Sequence, residues 1–363
     1  MLRPEDYKYV GIIPYRGKFA VKTRDFYKKI QQMQKDRMES TWLYKPLRFE
    51  VEITNECNIK CEHCGMNAVQ SGAGIILSDE LMHQIPIELH QVGIPSISIT
   101  GGEPFLYFSK LCDLIQECTK SAVDICKITT NGYWGEKPEE YFKKLKNAGF
   151  FKNKYFVPLI MFSIGENSVP FETIANIFKY VDTNFSPQEV NLCVSSMKEK
   201  GKNSLIDQFI NTYEQLFGTF PEDRIYLTER VYLNSKYNPT KAIRVEMDIR
   251  SYANDCYMCF WPTVGAYVLP TLFMKASGDC YSCAAFNVPD ELYFGNIHNM
   301  SIWQILSEAN NNRYVRLIAE NGLKGFYKFI DKNVLEETTA NDYCDACKKL
   351  IALSKEKLDL AKI

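Results

Sequence analysis

Phe49-Glu50-Val51-Glu52-Ile53-Thr54-Asn55-Glu56-Cys57-Asn58-Ile59-Lys60-Cys61-Glu62-His63-Cys64 is the stretch on which the fold turns. Its first part, Phe49 to Thr54, is an apolar and β-branched run with the composition of a strand. Its second part sets Cys57, Cys61 and Cys64 within eight residues. A strand running straight into a loop of soft ligands suits an α/β sheet, where chemistry gathers beyond the carboxyl ends of the strands.

Outward from this stretch, strand-like runs recur at Ile97 to Thr100, Ile125 to Thr130, Tyr155 to Ile164, Val190 to Val194 and Arg224 to Leu227. Helical patterns lie between and after them, near Ser78 to Val92, Tyr107 to Thr119, Lys137 to Ala148, Phe171 to Val181 and Ser204 to Phe217. Six strands alternating with helices predict a parallel sheet, either a barrel or a doubly wound sheet, because parallel strands need crossover connections. Polar, glycine-containing groups follow the first three strands: Glu56 to Gly65, Gly101 to Pro104 and Thr130 to Gly132.

Composition narrows the function. The 363 residues carry 43 basic and 44 acidic side chains, a net charge of −1 that offers no global field for a phosphate backbone, so no nucleic-acid partner is expected. The first 48 residues are locally basic, and a solvated helix from about Thr23 to Glu39 accounts for that. Phe260 to Met274, the longest near-apolar stretch, is broken by two prolines and a glycine, so no membrane span is expected. The N-terminus, Met-Leu-Arg-Pro-Glu-Asp, has no apolar segment of the kind a secretory signal needs. These features predict a reducing, cytoplasmic setting, in which thirteen cysteines are read as ligands or reactive thiols rather than as a disulfide framework.

Nine of the thirteen are clustered: Cys57, Cys61 and Cys64, and the pairs Cys256 with Cys259, Cys280 with Cys283, and Cys344 with Cys347. Cys112, Cys118, Cys126 and Cys193 are scattered on predicted helices and strands and are read as core packing. Three thiolates within eight residues suit an iron–sulfur cluster or zinc. A structural zinc site closes with four ligands, and His63, adjacent to Cys64, is badly placed to be the fourth. In a four-iron, four-sulfur cluster three cysteines would leave one iron open for a chelating ligand.

The Cys-x3-Cys-x2-Cys loop after the first strand resembles the signature of the radical S-adenosylmethionine (SAM) superfamily. Thr100-Gly101-Gly102-Glu103-Pro104 resembles that family's GGE motif, whose relatives contact the methionine amino group. Thr129-Thr130-Asn131-Gly132 and Ser163 resemble positions that meet the ribose and carboxylate. The resemblance implies a partial (β/α)6 TIM-like barrel, a [4Fe-4S] cluster on Cys57, Cys61 and Cys64, and SAM bound through Gly101, Gly102, Glu103, Pro104, Thr130, Asn131 and Ser163. It further implies one-electron cleavage of SAM to a 5′-deoxyadenosyl radical, which abstracts hydrogen from an unactivated C–H bond. A flavodoxin- or ferredoxin-type protein is the implied electron donor.

Cys259, Gly278-Asp279-Cys280-Tyr281-Ser282-Cys283, Phe294-Gly295-Asn296-Ile297 and Cys344-Asp345-Ala346-Cys347 resemble the SPASM or Twitch auxiliary-cluster extension. With no cysteine after Cys347, the resemblance implies one auxiliary [4Fe-4S] cluster on Cys259, Cys283, Cys344 and Cys347, with Cys256 able to exchange with Cys259. Cys280 has three readings: a further ligand, a thiol returning a hydrogen atom to a substrate radical, or a buried small hydrophobe. The expected organisation is a basic extension at 1–45, the partial barrel at 46–235 and a small Twitch- or SPASM-like domain at 236–363 closed by a helix from Lys348. Function is expected to be an enzyme acting on a peptide or protein by epimerisation, crosslinking or oxidation. The alternatives are a dehydrogenase or epimerase of a small polyol, aminosugar or nucleotide-like substrate, and a non-catalytic structural metalloprotein.

Overall fold

The computed structural model describes residues 32–61, 64, 66, 68–165, 168–199, 203–221, 225–232, 247–253, 271–283, 288–340 and 343–361. Strand β1, Arg48–Glu52, lies inside a nine-stranded sheet, fourth from one edge. On one side of it run β2 (Ser96–Thr100), β3 (Asp124–Thr130), β4 (Leu159–Ile164), β5 (Asn191–Glu199) and β6 (Ile225–Tyr232), all parallel and in chain order. On its other side β7 (Thr271–Met274) pairs with β1 in parallel, and β8 (Asp279–Tyr281) and β9 (Tyr293–Asn296) continue antiparallel.

Helices α1 (Asp79–Val92), α2 (Phe108–Lys120), α3 (Pro138–Ala148), α4 (Phe171–Asn184) and α5 (Leu205–Phe217) fill the crossovers. Strands laid down without a reversal of order, joined by right-handed crossovers, put every helix on one face. The sheet therefore curls as a partial barrel, and the doubly wound alternative is excluded. Side chains divide accordingly: Phe49, Val51 and Ile53 are fully buried in the main core under the helices, while Arg48, Glu50 and Glu52 alternate onto the inner face.

Local signals set the element ends. Ser78 accepts the Leu81 N–H to cap α1, and Gly93, in the left-handed region at φ 82°, ends it. The expected strand from Tyr155 begins only at Leu159. Asp124 captures the N–H groups of Lys154, Tyr155 and Phe156 on its carboxylate, and Pro158 has no N–H for the ladder.

The C-terminal part shares this sheet through β7 to β9 and adds α6 (Ile302–Asn311), α7 (Arg313–Asn321) and α8 (Tyr343–Leu360). Ser301 and Gln304 form a capping box at the start of α6. The closing helix starts earlier than Lys348, so Cys344 and Cys347 lie within its first five residues. Met247–Asp248 pairs antiparallel with Thr339–Ala340, bringing the chain that leads to Cys256 beside the chain that leads to Cys344. The helix expected at 23–39 is described only from residue 32, and of the near-apolar stretch Phe260 to Met274 only Thr271–Met274 is described, as β7.

Candidate metal and cofactor site

The loop after β1 is built on Asn55 and Glu56. Asn55 Oδ1 accepts the Ile75 N–H at 2.7 Å, and the Glu56 carboxylate accepts the N–H groups of Gly72 at 2.7 Å and Gly74 at 2.8 Å. The Tyr107 hydroxyl also donates to Glu56. That hydroxyl first, and then the two N–H groups, hold the Glu56 carboxyl below the usual range.

Cys57, Cys61 and Cys64 sit half-buried on this loop. Cys57 Sγ accepts the Ile59 N–H at 3.4 Å and the Asn131 side-chain amide at 3.8 Å; Cys64 Sγ accepts the Ala68 N–H at 3.4 Å. Burial raises the thiols of Cys57 and Cys61, the latter to about 11, and negative neighbours in the trio raise Cys61 further. Thiolates that repel each other in a desolvated loop call for positive charge among them, which a metal centre supplies. Among the described residues no three His, Cys, Asp or Glu side chains converge as they would around one metal ion. In a four-iron cluster each thiolate takes a different iron, so a cysteine trio spread over a loop fits that group.

The turn after β2 is locked to this loop by backbone. Gly102 N donates to Thr54 O and Glu103 N to Glu56 O, both at 2.7 Å. A Cβ on Gly101 would lie 2.2 Å from Thr54 O, and one on Gly102 would lie 1.8 Å from Glu56 O. Gly101 also has φ +139°, so both glycines are demanded by the first strand's own chain. Pro104 starts a short 3-10 helix, Pro104–Tyr107, with its fixed φ.

Glu103 is fully buried. Its carboxylate accepts Thr130 Oγ1 at 2.8 Å, Asn131 N at 2.6 Å and Phe105 N at 3.0 Å. Burial pushes this carboxyl up to about 7 against the pull of those donors. Glu103 thus ties the β2 turn to the end of β3. Thr130 faces the core under the helices, accepting Trp134 Nε1 at 3.2 Å and Gly132 N at 3.1 Å. Asn131 turns toward the cysteine loop, donating to Asn58 Oδ1 at 2.8 Å as well as to Cys57. Ser163 is exposed on β4.

Three residues that the sequence did not place in the SAM-binding or metal-binding set belong here. Thr129 Oγ1 is buried without a hydrogen-bond partner on the face opposite Thr130; strand alternation from Lys127 was the signal that locates it. Glu52, 6% exposed, accepts the Ala276 N–H at 3.0 Å and no other hydrogen bond among the described residues, and burial raises its carboxyl to about 7. Glu56, beside Cys57, carries no sequence sign of its part in the loop. One strand-row below Glu52, Glu50 pairs with Lys127 at 3.1 Å and Arg48 at 3.2 Å. Burial alone would raise the Glu50 carboxyl, but Lys127 and Arg48 together hold it below the usual range.

Of the expected auxiliary ligands, Cys283 follows β8, Cys344 is exposed and Cys347 half-buried on α8, and Cys256 and Cys259 lie outside the described residues. Cys280 is fully buried within the main core, its thiol pushed up by burial and bonded to Gly278 O at 3.6 Å. Cys118 and Cys193 are also buried. No helix among the described residues is long and apolar enough to cross a membrane.

A protein of Methanocaldococcus jannaschii provisionally named a GTP 3′,8-cyclase is 27% identical over 154 residues, 41% of this chain and 50% of that protein. YydG of Bacillus subtilis, provisionally named a peptide biosynthesis protein, is 24% identical over 164 residues, 44% of this chain and 49% of that protein. The chain thus spans about half the length of these curated relatives. The crystal structure of Streptococcus suis SuiB bound to precursor peptide SuiA aligns at a TM-score of 0.45 and 16% identity, over 82% of this chain and 77% of that one. The family model described as the radical SAM superfamily matches residues 51–165, from β1 through the end of β4, a span that holds the cysteine loop, the Gly-Gly-Glu turn, Thr129 to Gly132 and Ser163. Over residues 51–165, about a third of the chain, the sequence is thus similar to the radical SAM superfamily.

Proposed function

We propose that Cys57, Cys61 and Cys64 hold a [4Fe-4S] cluster, that SAM binds its open iron, and that the chain abstracts a hydrogen atom from a peptide substrate. The observation that carries the reading is the cysteine loop bonded by backbone to the Gly101-Gly102-Glu103 turn, which puts three thiols and a polar strand end into one rigid unit. When bound and reduced, the cluster supplies the electron that splits SAM into methionine and the radical that takes the hydrogen.

The chain's own residues have separable parts. Asn131 donates toward Cys57 Sγ and steadies that ligand. Glu103 holds Asn131 and Thr130 in place, and because its carboxylate is already engaged, a ligand ammonium at this turn is left to backbone carbonyls. Thr129 and Ser163, on the inner face, offer hydroxyls to SAM. Cys259, Cys283, Cys344 and Cys347 are assigned to one auxiliary [4Fe-4S] cluster, a reading supported by the strand pairing of 247–248 with 339–340. The buried setting of Cys280 favours core packing over hydrogen-atom donation. A flavodoxin- or ferredoxin-type donor would provide electrons.

The name of YydG supports a peptide substrate. A second reading, a nucleotide substrate, is favoured by the match to proteins named for cyclising GTP. Anaerobic reconstitution with iron and sulfide, followed by a dithionite-driven assay for 5′-deoxyadenosine, tests the shared chemistry. The parent should make it and the Cys57/Cys61/Cys64→Ala triple variant should not; zinc in place of iron, with no cleavage, would sink the reading. GTP and deuterated peptides then separate the two substrates: GTP consumption with a cyclised product decides for the nucleotide, and deuterium carried from peptide into 5′-deoxyadenosine decides for the peptide.

A further inference from the structure

Glu56 is 2% exposed, yet no basic side chain among the described residues forms an ion pair with it. Its carboxylate is instead the common acceptor for the far end of the cysteine loop, through Gly72 and Gly74, and for the segment after the Gly-Gly-Glu turn, through Tyr107. Its backbone joins the same junction, since Glu56 N donates to Thr54 Oγ1 at 3.0 Å and Glu56 O accepts Glu103 N. The far end is shaped to meet it. Gly72 has φ +88°, and a Cβ on Gly74 would fall 2.5 Å from Glu56 Cγ. The Glu56 side chain, standing next to the loop's first cysteine, thus clasps Gly72 and Gly74 beside two other closures of the same loop, the Asn55 Oδ1 bond to the Ile75 N–H and the backbone pairing of Glu56–Cys57 with Val69–Gln70.

We propose that Glu56 is a positioning residue of the three-cysteine loop, fixing the loop's shape before metal arrives and so setting how firmly a cluster is held. The proposal rests on the assignment of a [4Fe-4S] cluster to Cys57, Cys61 and Cys64. Without this clasp the loop ends are held only by the backbone pairing and Asn55, the loop samples more shapes, and each cluster lost must wait for the three thiols to reassemble. The bonds that prevent this come from main-chain N–H groups and one phenol, so they are present in the metal-free chain.

The test compares the full-length parent, Glu56→Ala, Glu56→Gln and Tyr107→Phe after anaerobic reconstitution. Iron loss to a chelator is timed, and the iron held by the Cys57/Cys61/Cys64→Ala triple variant is subtracted. Loss should be roughly 10-fold faster in Glu56→Ala, the scale of removing a supporting partner at a metal site. In Tyr107→Phe it should be roughly 3-fold faster, for one lost hydrogen bond, and Glu56→Gln should fall between parent and Glu56→Ala. The electron paramagnetic resonance signal of the reduced cluster should broaden in the same order. Ile177→Ala, a fully buried position on α4, supplies a variant destabilised elsewhere that should keep the parent's rate. Tyr107→Phe decides the matter if Glu56→Ala does not fold. Equal rates in parent, Tyr107→Phe and Glu56→Ala overturn the proposal, as does equal acceleration by Ile177→Ala. A parent holding no iron above the triple variant overturns the cluster assignment itself, and the proposal with it.

Discussion

Thr129 and Thr130 differ only in the face of β3 to which the backbone sends them, and their loss should be felt in different measurements. Thr130→Val strips an acceptor from Trp134 Nε1 and Gly132 N and a donor from Glu103, so urea unfolding should show a loss of about 2–3 kcal/mol. Thr129→Val removes a hydroxyl without a partner, so stability should hold while SAM affinity, read by equilibrium dialysis on the reconstituted protein, falls by roughly 3- to 10-fold. Glu52 gives a pH signature. Its carboxyl keeps its proton to about 7 in the folded chain against an ordinary 4.5, so the folded state binds that proton more tightly across this window. Stability from this group is full below 4.5 and is lost as pH rises toward 7, by about 3 kcal/mol. The difference in unfolding free energy between parent and Glu52→Gln should follow that fall; a flat difference would mean that Glu52 is ionised throughout. Residue types were legible in the sequence and their directions were not, because side-chain direction depends on a strand register that composition does not encode.

At the scale of elements, the Gly-Gly-Glu turn is held from two sides. The chain of Thr54 to Glu56 occupies the space where side chains would stand on Gly101 and Gly102. On the other side Phe105 stacks on Trp134 at 4.5 Å and on Phe108 at 5.4 Å. Gly102→Ala should therefore displace the cysteine loop, and iron retained after reconstitution should drop to the level of the cysteine triple variant. Phe105→Ala should cost about 3–5 kcal/mol in denaturant unfolding, as large aromatic truncations in a packed core do. The pattern of apolar periodicity located α1 to α5 and the parallel strands, since each carries its own signal. It missed the late start of β4, where Asp124, some thirty residues earlier, takes the N–H groups that a strand would have used.

For the whole molecule, the expected partition at 235 and 236 gave no sign that the sheet runs on, because β7 joins β1 from the far side and its pairing spans more than 200 residues of sequence. Long-range parallel pairing leaves no local pattern to read. The cysteine pairs near the C-terminus stand on this shared framework. Cys344→Ala and Cys347→Ala should each lower reconstituted iron from about eight to about four per chain and leave SAM-dependent reduction of the remaining cluster detectable, the pattern expected for two separate four-iron centres.

The hydrogen bonds from Gly102 to Thr54 and from Glu103 to Glu56 have a consequence for anyone who would rebuild this protein. Two motifs some forty positions apart in the chain are one part in three dimensions. A transplant of residues 55–75 into a relative would carry the ligands but not their seat, while a transplant that also takes 100–107 would carry both, so chimeras cut between these segments should assemble poorly even where every cysteine is present.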